Sequence, residues 1–379
     1  MKLKSVLAGL LLAGTAWGQP EQWLEYHTGG DNVSYHTLEL TTNPPAAVAV
    51  PKCNATPFFA RWLTPMDPAG GRWLCFDRSR KSGPYDLVYA DTAGTGRLDN
   101  LTPIKGRLDS YNSFFPALAM IFKGEDGPIT YHLGLRFYQY DNNRAQLLIS
   151  SAGWYEGTVN FGGLKKHIQL IDGNVNGAFN DVNGNPYDSD RLQIEGDKAG
   201  DRYLGKLIEV DGKFFNMEVA RDGAFVKVKP AENVILGTVR VPENISEFSA
   251  YGENGYFVRQ PVQGQFTMPI GKYRLVRWNI DRQDEKKVPW TLSGYNFPES
   301  AVFEVTAGAP ATLKIGEPVR AELKSNDQGN RQLTFSLNFI GQQQESIQLL
   351  RDGQRPRGPK LMLAAADGAV CYTNTFEFG

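Results

Sequence analysis

The chain has 379 residues, of which 12% are aromatic and 40 are glycine, with 40 basic residues against 41 acidic ones. A net charge of -1, without any run of Lys or Arg longer than a pair, excludes the charge pattern of a protein that binds nucleic acid or an anionic membrane. Frequent Asp-Gly and Asn-Gly turns and little helical periodicity predict a mainly β chain, with two or three antiparallel β-sandwich-like domains in tandem.

The first 18 residues have the organisation of a secretory signal peptide. Lys2 and Lys4 form a positive end, residues 6–13 form a short apolar core, and the sequence Ala-Trp-Gly at 16–18 offers small residues for cleavage. We therefore expect cleavage after Gly18. No later run approaches the roughly 20 apolar residues of a membrane helix, so we expect a secreted or periplasmic protein of bacterial type without a membrane span.

Three cysteines raise the question of a disulfide, because an exported chain reaches an oxidising compartment. Cys53 and Cys75 could form a bridge worth about 3 kcal/mol, which would leave Cys371 buried as a small apolar residue. The odd number of cysteines is equally compatible with three unpaired core residues. Both interpretations stay open from the sequence.

Strand patterns begin in the N-terminal region, which we assign to residues 19–232. Segments 58–63 and 72–77 are predicted strands around a Pro- and Gly-rich turn, and 128–149 has the alternating aromatic and β-branched residues of a hairpin. Segments 203–210, 214–220 and 224–228 predict a three-stranded meander with Asp-Gly turns.

The densest group of oxygen-bearing side chains lies in residues 172–190, which we call the Asp172 loop. Apolar residues alternate with polar ones at 168 and 170 before it and at 192 and 194 after it, so the loop is predicted to connect two paired strands. Asp172, Asn174, Asn176 and Gly177 occupy positions one, three, five and six of an EF-hand-type calcium loop, and the segment resembles the first half of that motif.

The second half of the motif is missing, since position twelve is Asn183 instead of a bidentate Glu and no helical pattern flanks the loop. The candidate calcium ligands therefore include nearby carboxylates, and the full set is Asp172, Asn174, Asn176, Asp181, Asp188 and Asp190. With so few carboxylates, we expect weak affinity, with a Kd of about 10⁻⁴ to 10⁻³ M. The alternative is a long Asn- and Gly-rich turn without a metal.

An internal similarity links this loop to an earlier segment. Asp91, like Asp172, follows an apolar strand pattern and is followed at the same spacing by a glycine and then a large apolar residue. If the two segments share an origin, the first has lost its metal or keeps it through Asp91, Thr95 and Asp99; a chance similarity is equally compatible with the sequence.

Two further regions complete the predicted domain organisation. Residues 264–275 read Gly-Gln-Phe-Thr-Met-Pro-Ile-Gly-Lys-Tyr-Arg-Leu and are similar to a segment of prealbumin-like sandwiches such as the carboxypeptidase regulatory domain. The resemblance implies a sandwich over 233–315, with Met268 at a strand end and Tyr273 in the core. Residues 316–379 are assigned to an Ig-like end domain, with predicted strands at 319–323, 332–339, 360–365 and 369–378.

Common catalytic motifs are absent: there is no His-Glu-x-x-His, Gly-x-Ser-x-Gly, Cys-x-x-Cys or phosphate-binding Gly-x-x-x-x-Gly-Lys followed by Ser or Thr. We therefore expect a non-enzymatic, exported β-sandwich protein of the cell surface or periplasm with a calcium-stabilised loop. The alternative is an extracellular carbohydrate-active protein, either a glycan binder or a glycoside hydrolase. A hydrolase would need two carboxylates about 5 to 9.5 Å apart, for which Glu156 and Asp188 are candidates. The expected partner is a glycan or a surface protein.

Overall fold

The computed structural model describes residues 20–29, 35–46, 48–125, 127–141, 144–197, 199–329 and 332–376. This part of the chain is mainly β and consists of several, mostly antiparallel, sheets, as predicted. Its helical content is one short 3₁₀ helix, Pro186–Asp188. None of its helices has the length and hydropathy needed to span a membrane. The expected signal peptide lies outside the described residues.

The strands of the N-terminal body are, in chain order, β1 Gln22–Trp23, β2 Glu25–Thr28, β3 Tyr35–Leu38, β4 Phe58–Leu63, β5 Gly71–Asp77, β6 Leu87–Ala90, β7 Ile104–Lys105, β8 Arg107–Asp109, β9 Asn112–Phe114, β10 Leu118–Lys123, β11 Pro128–Gln139, β12 Ala145–Ser151, β13 Gly153–Phe161, β14 Leu164–Ile171, β15 Arg191–Ile194, β16 Asp201–Tyr203, β17 Leu207–Val210, β18 Lys213–Val219 and β19 Phe225–Pro230. Those of the C-terminal part are β20 Leu236–Arg240, β21 Glu247–Gly252, β22 Gly255–Arg259, β23 Gln265–Pro269, β24 Gly271–Gln283, β25 Pro289–Tyr295, β26 Val302–Val305, β27 Ala311–Thr312, β28 Arg320–Asp327, β29 Leu333–Ile340, β30 Ser346–Arg351, β31 Lys360–Ala364 and β32 Val370–Thr375.

The N-terminal body contains four sheets around one apolar core. The sheets are β4 to β7 in sequence order, β8 to β12 with β3, β13 to β16 with β2, and β17 to β19 with β1. Strict alternation explains the burial: in β10, Leu118, Met120 and Phe122 are buried while their neighbours are exposed. Inward residues of all four sheets contact one another in a single cluster, so this region forms one body. The predicted strands at 58–63 and 72–77 are confirmed. The meander is confirmed as β17 to β19, but its first predicted strand, 203–210, is divided between the end of β16, in another sheet, and β17.

Strands β1, β2 and β3 form an N-terminal arm whose pairing the sequence did not reveal. Each adds as an edge strand to a different sheet of the body. Trp23 pairs with Phe225 of β19, His27 with Trp154 of β13, and His36 with Ile149 of β12. The arm therefore crosses three sheets before the chain enters the fourth.

The C-terminal body packs a three-stranded sheet, β23-β20-β27, against a larger one that runs β22-β21-β24-β25-β30-β29-β28. Met268 lies near the end of β23 and is fully buried, and Tyr273 of β24 is 2% exposed. Both placements agree with what the prealbumin-like segment implies, while the resemblance itself stays a prediction.

The large sheet includes strands from both sides of the expected domain boundary at residue 315. Leu292 of β25 pairs with Leu349 of β30, and Ile347 of β30 is buried in the same core. Strand β30 was absent from the predicted elements. Further along, β31 and β32 pair with each other, and Cys371 on β32 is exposed. Its expected burial was therefore wrong, because the strand contributes no residue to a core over its whole length.

Candidate functional site

The Asp172 loop connects β14 to β15, which pair with each other as expected; the structure places Ile168 opposite Ile194 and Leu170 opposite Leu192. Asp172 directly follows the first strand and Asp190 directly precedes the second. Both carboxyl groups consequently lie at the base of the loop, where each residue has no solvent exposure.

Asp172 organises the first turn of the loop. Its Oδ1 accepts a hydrogen bond from the backbone N–H of Asn176 at 3.3 Å, and its Oδ2 accepts one from Gly177 at 2.7 Å. Gly177 has a φ of 90°, a conformation that glycine adopts without strain, so this residue type is required there. The acidic residue and the glycine of the calcium-loop pattern thus form one hydrogen-bonded turn.

Asp190 joins the base of the loop to its middle. Its Oδ1 accepts from the backbone N–H of Gly173 at 3.0 Å, and its Oδ2 accepts from that of Asp181 at 2.7 Å. The backbone N–H of Asp190 in turn donates to the carbonyl of Asp181 at 3.0 Å. The long connection therefore has internal support from its own carboxylates.

Three of the predicted ligands converge above this base. One carboxyl oxygen of Asp181, Oδ2, accepts from the side-chain amides of Asn174 at 3.2 Å and Asn176 at 2.9 Å. The Asn174 amide also lies 3.3 Å from the carbonyl oxygen of Asp188. The Asp188 carboxylate is exposed and accepts from Asn185 at 2.9 Å instead. All six predicted residues belong to one loop network, with the Asp188 side chain at its outer edge.

The two buried carboxyl groups carry an electrostatic cost. Burial raises the pKa of Asp172 to about 7, although hydrogen bonds from the backbone of Gly177 and Asn176 oppose the shift. Burial also raises the pKa of Asp190 well above its usual value, and the charges of Asp172 and Asp181 raise it further. Every hydrogen bond these carboxyls accept in the described structure comes from an N–H group of the loop, and none comes from Lys or Arg.

A buried tyrosine lies beside the same base. Tyr131 of β11 is 1% exposed, and its hydroxyl oxygen has no hydrogen-bond partner. It lies close enough to influence the pKa of Asp172, but the geometry falls short of a hydrogen bond. A buried hydroxyl without a partner normally has an explanation in strain, an ion or a bound water molecule.

The donor set decides what kind of cation the loop could accept. Among the residues that the structure describes, no three Asp, Glu, His or Cys side chains are arranged to hold a metal ion. A cation here would therefore need amide or carbonyl oxygens as well, and hard oxygen donors of this mixed kind suit calcium. The amide groups of Asn174 and Asn176 now donate to Asp181 and would have to present their oxygens instead.

Two aromatic residues and a histidine anchor the loop, and none of them belongs to a motif that predicts this role. Trp62 Nε1 donates to the carbonyl of Val175 at 2.7 Å, and the His36 ring Nε2 lies 2.9 Å from the carbonyl of Gly173. On its outer side, the Tyr251 hydroxyl donates to the carbonyl of Asn183 at 2.6 Å. Since Tyr251 belongs to β21, the loop connects the N-terminal body to the C-terminal one.

The Asp91 turn, residues 91–98, has the same architecture as the start of the Asp172 loop. Asp91 Oδ1 accepts from the backbone N–H of Thr95 at 2.8 Å, and Oδ2 accepts from that of Gly96 at 2.7 Å. These donors are four and five residues after the aspartate, as in the later loop. Leu98 and Phe179, seven residues after each aspartate, are both buried.

The rest of the proposed second site is not assembled in the same way. Asp99 is exposed and forms an ion pair with Arg97 at 2.7 Å. The Thr95 hydroxyl donates to Asp91 at 3.0 Å, so hydrogen bonds within the turn occupy both oxygens of Asp91. The internal similarity is thus a shared turn geometry, while common origin stays a prediction.

The remaining predicted pair is Cys53 and Cys75. Their Sγ atoms lie 4.0 Å apart and are not bonded in this structure, and Cys75 is fully buried. The two thiols are neighbours, and the disulfide stays a prediction.

A cleft of about 650 Å³ borders the Asp172 loop. Its lining comes from β3, β4, β5, β12 and the loop, and includes Arg61, Trp73, Asn174 and Asp188. Glu156, the other candidate for a hydrolytic carboxylate pair, is not among its lining residues. A smaller cavity of about 350 Å³ lies between the two bodies.

Comparison with known proteins identifies no relative: no family model, curated protein or solved structure matches this chain.

Proposed function

We propose that this chain is an exported, non-enzymatic β-sheet protein in which calcium binds the Asp172 loop and stabilises the junction between its two bodies. The observation that carries the proposal is the pair of fully buried carboxyl groups, Asp172 and Asp190, whose partners are all N–H groups. Ionisation of both carboxyls would place two like charges in a buried site and destabilise the folded state, and a cation nearby would remove that cost.

Loop residues would supply the ligands from several directions. Asp172, Asp181 and Asp190 offer carboxylate oxygens, and Asn174 and Asn176 offer amide oxygens once their side chains turn over. The number and type of these donors fit calcium better than magnesium, because magnesium demands a near-ideal octahedron and loses water reluctantly. Contacts from Tyr251 to Ser189 and Asn183 would transmit the added rigidity to the C-terminal body.

Calcium is expected to raise the melting temperature of metal-stripped protein. A site with a Kd of about 10⁻⁴ M in roughly 10 mM calcium adds about 2.7 kcal/mol, which is on the order of 5 to 11 °C for a domain of about 150 to 250 residues. Asp172→Ala should abolish this increment, and magnesium should replace calcium poorly. Differential scanning calorimetry after chelation and dialysis measures both effects.

Asp91→Ala is the matched control, because Asp91 has the same hydrogen-bonding role in a turn without the second buried carboxyl. This variant should be less stable than the wild type but keep the full calcium increment. Asp181→Ala tests the site without removing a buried residue and should also reduce the increment. A melting curve that calcium leaves unchanged would reject calcium binding and return the loop to a long turn.

The carbohydrate-active alternative has one observation in its favour, the cleft beside the loop. Its Trp73 and polar rim suit a sugar better than the exposed faces of the sheets do. The hydrolase version has less support, since Glu156 lies on β13 and does not line the cleft that Asp188 borders.

A further inference from the structure

We propose that the cleft beside the Asp172 loop, which we call the Trp73 cleft, is a binding site for a neutral oligosaccharide. The inference deepens the proposed function, because the loop that calcium would stabilise forms one side of the cleft. At about 650 Å³ the cleft lies within the roughly 300 to 1,000 Å³ typical of sites for small ligands.

Trp73 provides a flat apolar surface. It lies on β5, directly opposite Arg61 of β4, so that the two side chains share one face of the sheet. Trp73 packs against the small buried cluster that contains Phe59 and Leu98, and the residue remains half-buried. An indole held in this way offers a rigid surface at little cost in conformational entropy, which suits the apolar face of a pyranose ring.

Polar side chains surround this surface. Arg61 is exposed and uses one N–H to donate to the carbonyl of Ala69 at 2.7 Å, and a guanidinium carries five such donors. Asn174 and Asn176 approach from the loop, and Thr37 lies on β3. Donors and acceptors on several sides match a ligand that carries hydroxyl groups around its rim.

The charges of the lining indicate a neutral ligand. The lining includes the guanidinium of Arg61 and the acidic residues Glu39 and Asp188, so the cleft has charges of both signs. A strongly anionic ligand would meet these carboxylates, and a cationic ligand would meet Arg61. A neutral saccharide combines the apolar face and the hydroxyl groups that this lining can accommodate.

The smaller cavity between the bodies does not have this character. Its cations are already engaged: Lys166 pairs with Asp211 at 3.0 Å, Arg259 pairs with Glu209 at 2.8 Å, and Arg202 pairs with Asp197. The Arg259–Glu209 pair connects β22 of the C-terminal body to β17 of the N-terminal body, and the other two pairs lie within the N-terminal body. The Trp73 cleft is therefore the better candidate for a ligand.

Saturation-transfer NMR with linear hexasaccharides of glucose, mannose, xylose and N-acetylglucosamine, in the presence of calcium, tests the proposal on the full chain. At least one of these probes should bind. Trp73→Ala should weaken its binding about tenfold, which corresponds to about 1.4 kcal/mol. Arg61→Ala, an exposed substitution that should leave the fold intact, should also weaken binding.

Trp23→Ala is the matched control, because Trp23 is 65% exposed on β1 and does not line the cleft. This variant should bind the saccharide as the wild type does. Absence of binding by every probe, or binding that Trp73→Ala and Arg61→Ala leave unchanged, would overturn the proposal.

The two proposals fail in different ways. Saccharide binding that survives chelation, together with a melting temperature that calcium does not change, would support the cleft and reject the metal. A calcium-dependent melting temperature without saccharide binding would reject the cleft and leave the metal site standing. Shortened products after repurification would support the cleft as a site and make the protein a hydrolase.

Discussion

Replacement of Trp62 by alanine is expected to lower the free energy of unfolding by about 3 to 5 kcal/mol. Trp62 is 1% exposed, and its ring stacks on Tyr131 with the centroids 5.5 Å apart. Its Nε1 also donates the 2.7 Å hydrogen bond that holds the carbonyl of Val175 in the Asp172 loop. The substitution therefore removes core volume and leaves a buried loop carbonyl without its partner. Urea denaturation of the two proteins measures the difference.

Trp23→Ala separates this effect from a general loss of aromatic surface, since Trp23 is 65% exposed and contacts Phe225 only from the sheet edge. Its cost should stay within about 1 kcal/mol. Trp62→Phe keeps most of the ring but removes the N–H donor, and should cost about 1 to 3 kcal/mol. If Trp62→Ala were no more destabilising than Trp23→Ala, the loop would not depend on this anchor.

The second large effect is a dependence on pH. Metal-stripped protein is expected to lose stability between pH 4 and pH 7 through Asp172, whose pKa rises from 3.8 in the unfolded chain to about 7 in the folded one. The folded state binds this proton more tightly, so the stabilisation is complete below the lower pKa and is lost as the pH rises through the upper one. At about 1.4 kcal/mol per pKa unit, the loss reaches at most about 4 kcal/mol.

Asp172→Asn removes the titrating group and keeps its shape, so the variant should show a flatter stability profile over the same range. The comparison with the wild type matters, because other carboxylates, such as Asp284 and Glu253, have lowered pKa values and contribute with the opposite sign. Calcium should restore the stability of the wild type at pH 7.5 and leave Asp172→Asn nearly unaffected. Identical profiles for the two metal-stripped proteins would contradict the role given to Asp172.

Local patterns predicted a good part of the fold and of the loop. The period-two alternation at 168, 170, 192 and 194 was enough to predict that β14 and β15 are paired strands, because each has one apolar face. Asp91 and Gly96 have the same spacing as Asp172 and Gly177, which indicated two equivalent turns. Each aspartate accepts hydrogen bonds from the backbone N–H groups of the residues four and five positions later. Such features depend on residues that are close in the chain.

The remaining features depend on distant partners, which one sequence does not identify. His36 and Trp62 contact the loop across more than a hundred residues, and neither residue belongs to a motif that would indicate it. Strand β30 has weak alternation, and it forms because β25 offers an edge for pairing. The half-buried position of Trp73 in a cleft likewise follows only from the assembly of three sheets.

The N-terminal arm sets an order for the folding of the chain. Gln22 of β1 pairs with Val226 of β19, and Trp23 pairs with Phe225. A strand that is synthesised early therefore pairs with one that is synthesised about 200 residues later. The partners of β2 and β3 lie near residue 150, so only β1 waits for residues 225 and 226, and contacts this distant in sequence form slowly. The N-terminal body therefore cannot finish folding until residues 225 and 226 have been synthesised. A protease that removed residues 20–38 from the finished protein would open the edges of three sheets together and favour aggregation.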